Sequence, residues 1–418
     1  MTTVHISIAM MVKNEEKRLH VTLNSIIGVA SSLVVYDTGS TDRTIEILEE
    51  FSKTNKIPLR IKSGEFIDFS TSRNVLLDFV DTFEDIHYIL MLDCNDELRG
   101  GSTLLAFCRE NLFSCTHAWY VTQEWWSGTL QNYINRRLIR PRKGWRFKGV
   151  VHEFLENTKE PTIVRDRVPP QCILYQDRTQ DDDKTRKRFA RDLALLLDEH
   201  RKSPTDTRVL FYLAQTYGCL GDRLNAFKYY SLRSQYPHFP EERYESMLKC
   251  GRIIKHYVDI DERLIKEIDA LAHINSEPAI EKKKCIQSKL DEHRSIGVFT
   301  WEDALKWFLN GAQVFGRIEV YIEIAKYYTY RDQHNLAYTF LHTACIQDIP
   351  VDSCLFVEKN IYDYERWHLM GRVAYYVKQY DEGERACILA IRSRNQEIDK
   401  RNLLFYTNRK TPVHSNMS

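Results

Sequence analysis

The chain has 418 residues and nearly balanced charge, 59 Lys and Arg against 58 Asp and Glu, for a formal net charge of +1. At roughly 150 residues per domain this length suggests two or three domains. The charge balance argues against a nucleic-acid binder that works through excess positive charge, and against a long charged tail. With 43% hydrophobic residues, 11 Pro and 16 Gly, the composition also argues against long disordered or collagen-like regions.

Taken in chain order, residues 4–12 read as a strand and 15–27 as a helix with apolar Leu19, Leu23, Ile26 and Ile27. Residues 33–36 read as a strand and 44–51 as a helix. Pro58 marks a break before a short strand over 59–62. Residues 71–83 read as a helix and 88–92 as a strand. This β-α-β-α succession with short connections predicts a mostly parallel sheet covered by helices, an α/β fold. Residues 119–123 and 135–139 add strands that need not be parallel. A charged, turn-like stretch at 177–187 closes this part of the chain, so the first domain is expected over residues 1–176.

Beyond it the hydrophobic period becomes 3.6, and helices are expected to dominate over residues 185–410. A repeat is visible there. Leu210, Leu213, Ala214 and Tyr217 are followed by Ala226 and Tyr230. Tyr321, Ile324, Ala325 and Tyr328 recur at identical offsets, followed by Ala337, Leu341 and Ala344. Trp367, Met370 and Gly371, then Gly383, Cys387 and Ala390, repeat most of the pattern. These units resemble tetratricopeptide repeats, in which small residues let paired helices approach and aromatic residues fill the layer between them.

The ten cysteines are scattered with no C-x-x-C pair. That is the pattern of reduced thiols, not of a disulfide framework or a zinc site. No apolar run reaches the ~18 residues that a membrane span needs, and no signal-peptide pattern opens the chain. A soluble, cytoplasmic protein is expected.

Three segments carry chemistry. Met11-Val12-Lys13-Asn14-Glu15-Glu16 ends the first strand, and Asp37-Thr38-Gly39-Ser40-Thr41-Asp42 ends the second. In an open parallel sheet, ligands bind beyond the carboxyl ends of strands, where an acid can accept hydrogen bonds from a nucleobase or ribose. Gly39 permits a tight turn, and Ser40 or Thr41 can cap the following helix. The third segment, Met91-Leu92-Asp93-Cys94-Asn95-Asp96-Glu97, is a buried strand that ends in oxygen ligands suited to Mg²⁺ or Mn²⁺.

Together with Phe69-Ser70-Thr71-Ser72-Arg73-Asn74, Arg137-Leu138-Ile139-Arg140 and Gly149-Val150-Val151-His152-Glu153, these motifs stand in the order found in family-2 glycosyltransferases of the GT-A fold. The resemblance covers roughly residues 5–155, and a helical-repeat tail is similar to known members. It implies a GT-A-like domain followed by a tetratricopeptide-like domain. The implied activity is sugar transfer from a nucleotide-diphosphate donor, with a UDP-sugar favoured, and inversion at the anomeric carbon. Asn14, Glu15 and Asp37 would bind base and ribose, with Ser40 and Asp42 of the same turn in the donor site. Arg73 would approach the nucleotide or its phosphates, with Asn74 holding the local turn. Asp93 and Asn95 occupy the family's D-x-D positions, and Asp93, Asn95, Asp96 and His152 are the implied ligands of Mn²⁺ or Mg²⁺. Glu153 is the candidate general base. Glu124, beside Trp125 and Trp126, is a second candidate.

Two departures stand out. Asn95 replaces the second acid, and the stretch Cys172-Ile173-Leu174-Tyr175-Gln176-Asp177 lacks the histidine that many relatives carry beyond the catalytic domain. Between Arg136 and Lys148 lie five Arg and two Lys with no acid. Such a run either steers an anion or forms a solvated face. The expected acceptor is a protein, peptide or glycan, with no nucleic acid and a homodimer formed through the repeats. The alternatives are a non-catalytic helical-repeat scaffold with a degenerate GT-A domain, and a nucleotidyltransferase. The motif Val151-His152-Glu153 favours sugar transfer over the latter.

Overall fold

The computed structural model describes residues 4–125, 133–157, 159, 166–177, 184–274, 276–295, 297–350, 353 and 355–410. The chain forms two compact units, Met1–Tyr212 and Leu213–Ser418.

In the first unit the predicted alternation is present. It runs β1 (Ile6–Val12), α1 (Leu19–Ser25), β2 (Ser32–Asp37), α2 (Thr44–Asn55), β3 (Leu59–Ser63), α3 (Phe69–Asp81), β4 (Tyr88–Leu92), β5 (Asp96–Arg99) and α4 (Gly101–Glu110). It continues with β6 (Ala118–Trp125), β7 (Tyr133–Ile139), β8 (Trp145–Lys148), β9 (Phe154–Asn157), β10 (Ile173–Gln176) and α5 (Lys184–Lys202). Among the described residues the main sheet has eight strands in the order β3-β2-β1-β4-β7-β6-β10-β5, and β8 pairs with β9 in a two-stranded sheet. Strands β3, β2, β1 and β4 are parallel, because each is separated from the next by a crossover helix. Strands β7 and β5 alone run against the others.

Strands β1, β2 and β4 are almost wholly buried because both faces of the sheet are covered. On one face Ile6, Ile8 and Met10 meet Leu19, Leu23 and Ile26, Leu48 of α2 and Leu104 of α4. On the other, Ala9, Val34 and Met91 meet Leu76, Leu77 and Val80 of α3 and Trp145 and Phe147 of β8. The helix expected over 15–27 begins later, at Leu19. Asn14 is in the left-handed region (φ 54°) and residues 15–18 turn before the helix starts.

The helix α6 (Thr207–Cys219) spans the division between the units. The second unit continues with α7 (Arg223–Ser234), α8 (Pro240–Ala270), α9 (Glu277–Ser295), α10 (Trp301–Val314), α11 (Glu319–Thr329), α12 (His334–Cys345), α13 (Arg366–Val373), α14 (Tyr380–Ser393) and α15 (Glu397–Lys410). The three repeat-like segments fall on consecutive helix pairs, α6 with α7, α11 with α12 and α13 with α14. Ala325, Ala337, Leu341 and Ala344 are fully buried in one apolar cluster with Met370 and Val373. Among the described residues no helix is long and apolar enough to cross a membrane, and the cysteines are free thiols.

Candidate active site

The carboxyl ends of β1, β2 and β4 lie on one edge of the sheet. Val12 pairs with Asp37 and Met10 with Leu92. The strand order reverses direction between β1 and β4, which is where such sheets form a ligand crevice.

Asp93 leaves β4 at that edge and holds two arginines. Arg73, from α3, donates from Nη2 to Asp93 Oδ1 at 2.6 Å, and Arg137, from β7, donates from Nη2 to Oδ2 at 2.9 Å. Arg73 Nε also lies 2.6 Å from Oε1 of Glu153. The arginine side chains are only 7% and 12% exposed. Burial alone would raise the Asp93 carboxyl, but Arg137 and Arg73 hold it well below the usual range. Arg73 is raised despite its burial, by Asp93 and Glu153. The result is a chain of alternating charge, Arg137–Asp93–Arg73–Glu153, brought together from four separate segments.

Three backbone devices aim these groups. Asn74, one residue after Arg73, donates to the Phe147 carbonyl at 2.9 Å and accepts from the Phe147 amide at 2.8 Å, which ties α3 to β8. The turn between β8 and β9 passes through Gly149 (φ 98°) and His152 (φ 51°) before Glu153. Asp96, fully buried, accepts from the Asp93 amide at 2.8 Å and from Gln176 Nε2 at 2.6 Å, and so pins the turn after β4. Burial, and secondarily the neighbouring Asp93, push its carboxyl up to about 6.

The residues expected to hold a divalent cation do not assemble one shell. Both oxygens of Asp93 face guanidinium groups, and both oxygens of Asp96 accept from protein donors. His152 stacks its ring on Tyr212, with centroids 4.2 Å apart. Asn95 is half-buried in the turn between β4 and β5. Among the described residues no three His, Cys, Asp or Glu side chains converge as a metal site. The donor set present, one carboxylate already neutralised plus an amide, does not fit a divalent cation as these side chains stand.

The other expected residues divide into two groups. Asp37 is buried at the crevice edge, where its Oδ1 accepts from the Ser40 amide at 3.0 Å. Glu15, on the loop after β1, donates from its amide to Thr44 Oγ1 at 2.7 Å. Asn14, Ser40 and Asp42 instead lock the loops together. Asn14 Oδ1 accepts from the Thr41 amide at 2.7 Å, and Ser40 Oγ accepts from the Asn14 amide at 3.1 Å. Asp42 accepts from the Thr44 amide and hydroxyl and from the Glu16 amide. Although burial opposes it, those bonds lower the Asp42 pKa.

Glu124 is apart from the charge chain. It stands opposite Tyr175 in the β6–β10 register, within electrostatic reach of Arg99. Trp126 lies outside the described residues. Arg137 is the site residue to which the sequence assigns no role, although it opens the motif Arg137-Leu138-Ile139-Arg140 and lies within the basic run at 136–148. The rest of that run is largely structural. Arg140 donates to the carbonyls of Asn111, Leu112, Ser114 and Thr116, Arg142 to those of Phe83 and Ile86, and Arg146 pairs with Asp78. On β7, Arg137 alone of the run reaches Asp93.

Residues 7–159, within the first unit, match the model of glycosyl transferase family 2. A search of curated proteins returns no significant match. Among solved structures the chain is similar to S. aureus TarS 1-349 in complex with UDP-GlcNAc, at 15% identity and a TM-score of 0.34, over 70% of this chain and 90% of that one. It is also similar to the mannosyltransferase PcManGT of Pyrobaculum calidifontis in complex with GDP-Man and Mn2+, at 12% identity and a TM-score of 0.35, over 74% and 86%. A third is a thermophilic TPR protein of Thermus thermophilus, at 16% identity and a TM-score of 0.28, over 54% and 92%.

Proposed function

We propose that the protein moves a sugar from a nucleotide-diphosphate donor, a UDP-sugar first, to an acceptor hydroxyl or similar nucleophile with inversion. The observation that carries this reading is the link through Arg73 between Asp93, at the donor edge of the sheet, and Glu153, on the β8–β9 turn. In the reaction the acceptor oxygen forms a bond to the anomeric carbon. The bond from that carbon to the diphosphate oxygen breaks, and its electron pair leaves with the nucleotide. Glu153 takes the acceptor proton as the attack proceeds. Asp37 and Glu15 hold the base and ribose, and Asp93 orients Arg73 and Arg137 toward the donor.

The helix pairs of the second unit are read as tetratricopeptide-like. Such stacked pairs create a concave surface for a protein, peptide or glycan acceptor. The free thiols suit a reducing, cytoplasmic setting.

A panel of nucleotide sugars, assayed for donor turnover, tests the activity. Release of nucleotide from at least one donor is expected. No turnover and no nucleotide binding across the panel would favour a scaffold and sink the reading. Glu153→Gln should lower turnover roughly 10²–10⁴-fold while donor affinity changes little. Full transfer by that variant removes Glu153 from the role of base.

A further inference from the structure

We propose that Arg73 and Arg137 together bear the charge of the donor diphosphate, so that the nucleotide binds without a divalent cation. This rests on the donor-site reading above and adds to it a specific counter-charge.

The two carboxylates from which a cation would be held, Asp93 and Asp96, are already committed to other partners. Asn95 stands where a second acid would supply charge. Asp96 cannot turn outward without abandoning the Asp93 amide and Gln176 in a fully buried position. Two buried N–H donors, the Asp93 amide and the Gln176 side-chain amide, would then remain unpaired. His152 stacks on Tyr212, and its carbonyl accepts from Arg208 Nη2 at 2.7 Å. A cation at Asp93 would have to displace Arg73 or Arg137 and then sit beside a mostly buried guanidinium, against like-charge repulsion.

The two arginines offer what the cation would otherwise supply. They bring two guanidinium groups to Asp93 at the carboxyl end of β4, with Arg73 shared between Asp93 and Glu153. A guanidinium has five N–H donors in a planar fork matched to phosphate oxygens. Arg137 spends one contact on Asp93, and Arg73 spends two, on Asp93 and Glu153. Donors therefore remain on both. Asp93 holds the pair at one edge, which fixes the geometry before the donor arrives.

Isothermal titration of the full-length protein with UDP and with GDP, each in EDTA and in excess Mn²⁺, tests the inference directly. The dissociation constant of whichever nucleotide binds should agree within about threefold between the two buffers. Tightening by about tenfold or more in Mn²⁺ would overturn the proposal and leave the glycosyltransferase reading standing. Arg137→Gln, checked for an unchanged circular-dichroism spectrum, should weaken nucleotide binding roughly tenfold or more in both buffers. A folded Arg137→Gln that binds like wild type also overturns it. If neither nucleotide binds in either buffer, the donor site itself falls, and this inference with it.

Discussion

Asp93 and Asp96 are three residues apart, yet their environments push them in opposite directions. Asp93 faces two guanidinium groups and is held low, whereas Asp96 is buried beside Asp93 and is pushed up to about 6 from 3.8. A carboxyl raised in the folded state binds its proton more tightly there than in the unfolded chain. Its contribution to stability is therefore full below the unfolded pKa of about 4 and is lost as pH rises through about 6. Asp96→Asn removes that loss, because Asn can still accept from the Asp93 amide while the Gln176 amide turns to accept from its NH₂. The melting temperature of Asp96→Asn relative to wild type should accordingly be higher at about pH 8 than at about pH 4. Thermal melts at both values check it, and a pH-independent difference would contradict the role given to Asp96. The acidity of this turn was legible in the sequence, but the division of labour within it was not. Which acid meets arginine and which meets Gln176 depends on β7 and β10, 44 and 80 residues downstream.

At the scale of elements, the helix pairs of the second unit depend on small residues where backbones approach. A Cβ on Gly371 of α13 would lie 2.7 Å from Cys387 Sγ and 3.3 Å from the Cys387 amide nitrogen of α14. Tyr406 of α15 also donates to the Gly371 carbonyl at 2.7 Å, so the helix cannot simply withdraw. Gly371→Ala is expected to destabilise the protein by about 1–3 kcal/mol, read as a lower denaturant midpoint in equilibrium unfolding. A midpoint equal to wild type would mean that α13 and α14 can move apart without loss. The offsets in the sequence located this position, because small residues recur at repeat intervals. They did not reveal β8 and β9, whose four residues apiece are too short for a periodic signal, although those strands carry the turn that aims Glu153.

Over the whole molecule, each unit buries its own apolar core. The second unit also buries charge, with Arg317 and Glu319 paired, both fully inaccessible, and Tyr244 and Tyr362 donating to Glu319. Positive and negative residues are almost equal in number, and the sequence isoelectric point is about 7.6. Self-repulsion between molecules is weakest there, so solubility should pass through a minimum near that pH and rise on either side. Precipitation measured across a pH series at low salt is the check, and a monotonic curve would contradict it.

The strand-ending motifs around Asp37 and Asp93 are local, and so is the alternation of apolar runs with helical periods. Both are properties of adjacent residues, and the sequence alone determined from them the α/β class, the helical second part and the edge of the sheet at which such folds form a ligand crevice. Arg137 illustrates what it could not determine. In the sequence it shares a motif with Arg140 and a run with six other bases, and only the antiparallel insertion of β7 beside β4 gives it a role distinct from Arg140, Arg142 and Arg146. The same holds for Glu124 and Glu153, two acids near strand ends that differ in which neighbour the sheet brings to them. Pairings across long stretches of chain arise from tertiary packing. The charge chain of Arg137, Asp93, Arg73 and Glu153 was therefore decided by the fold.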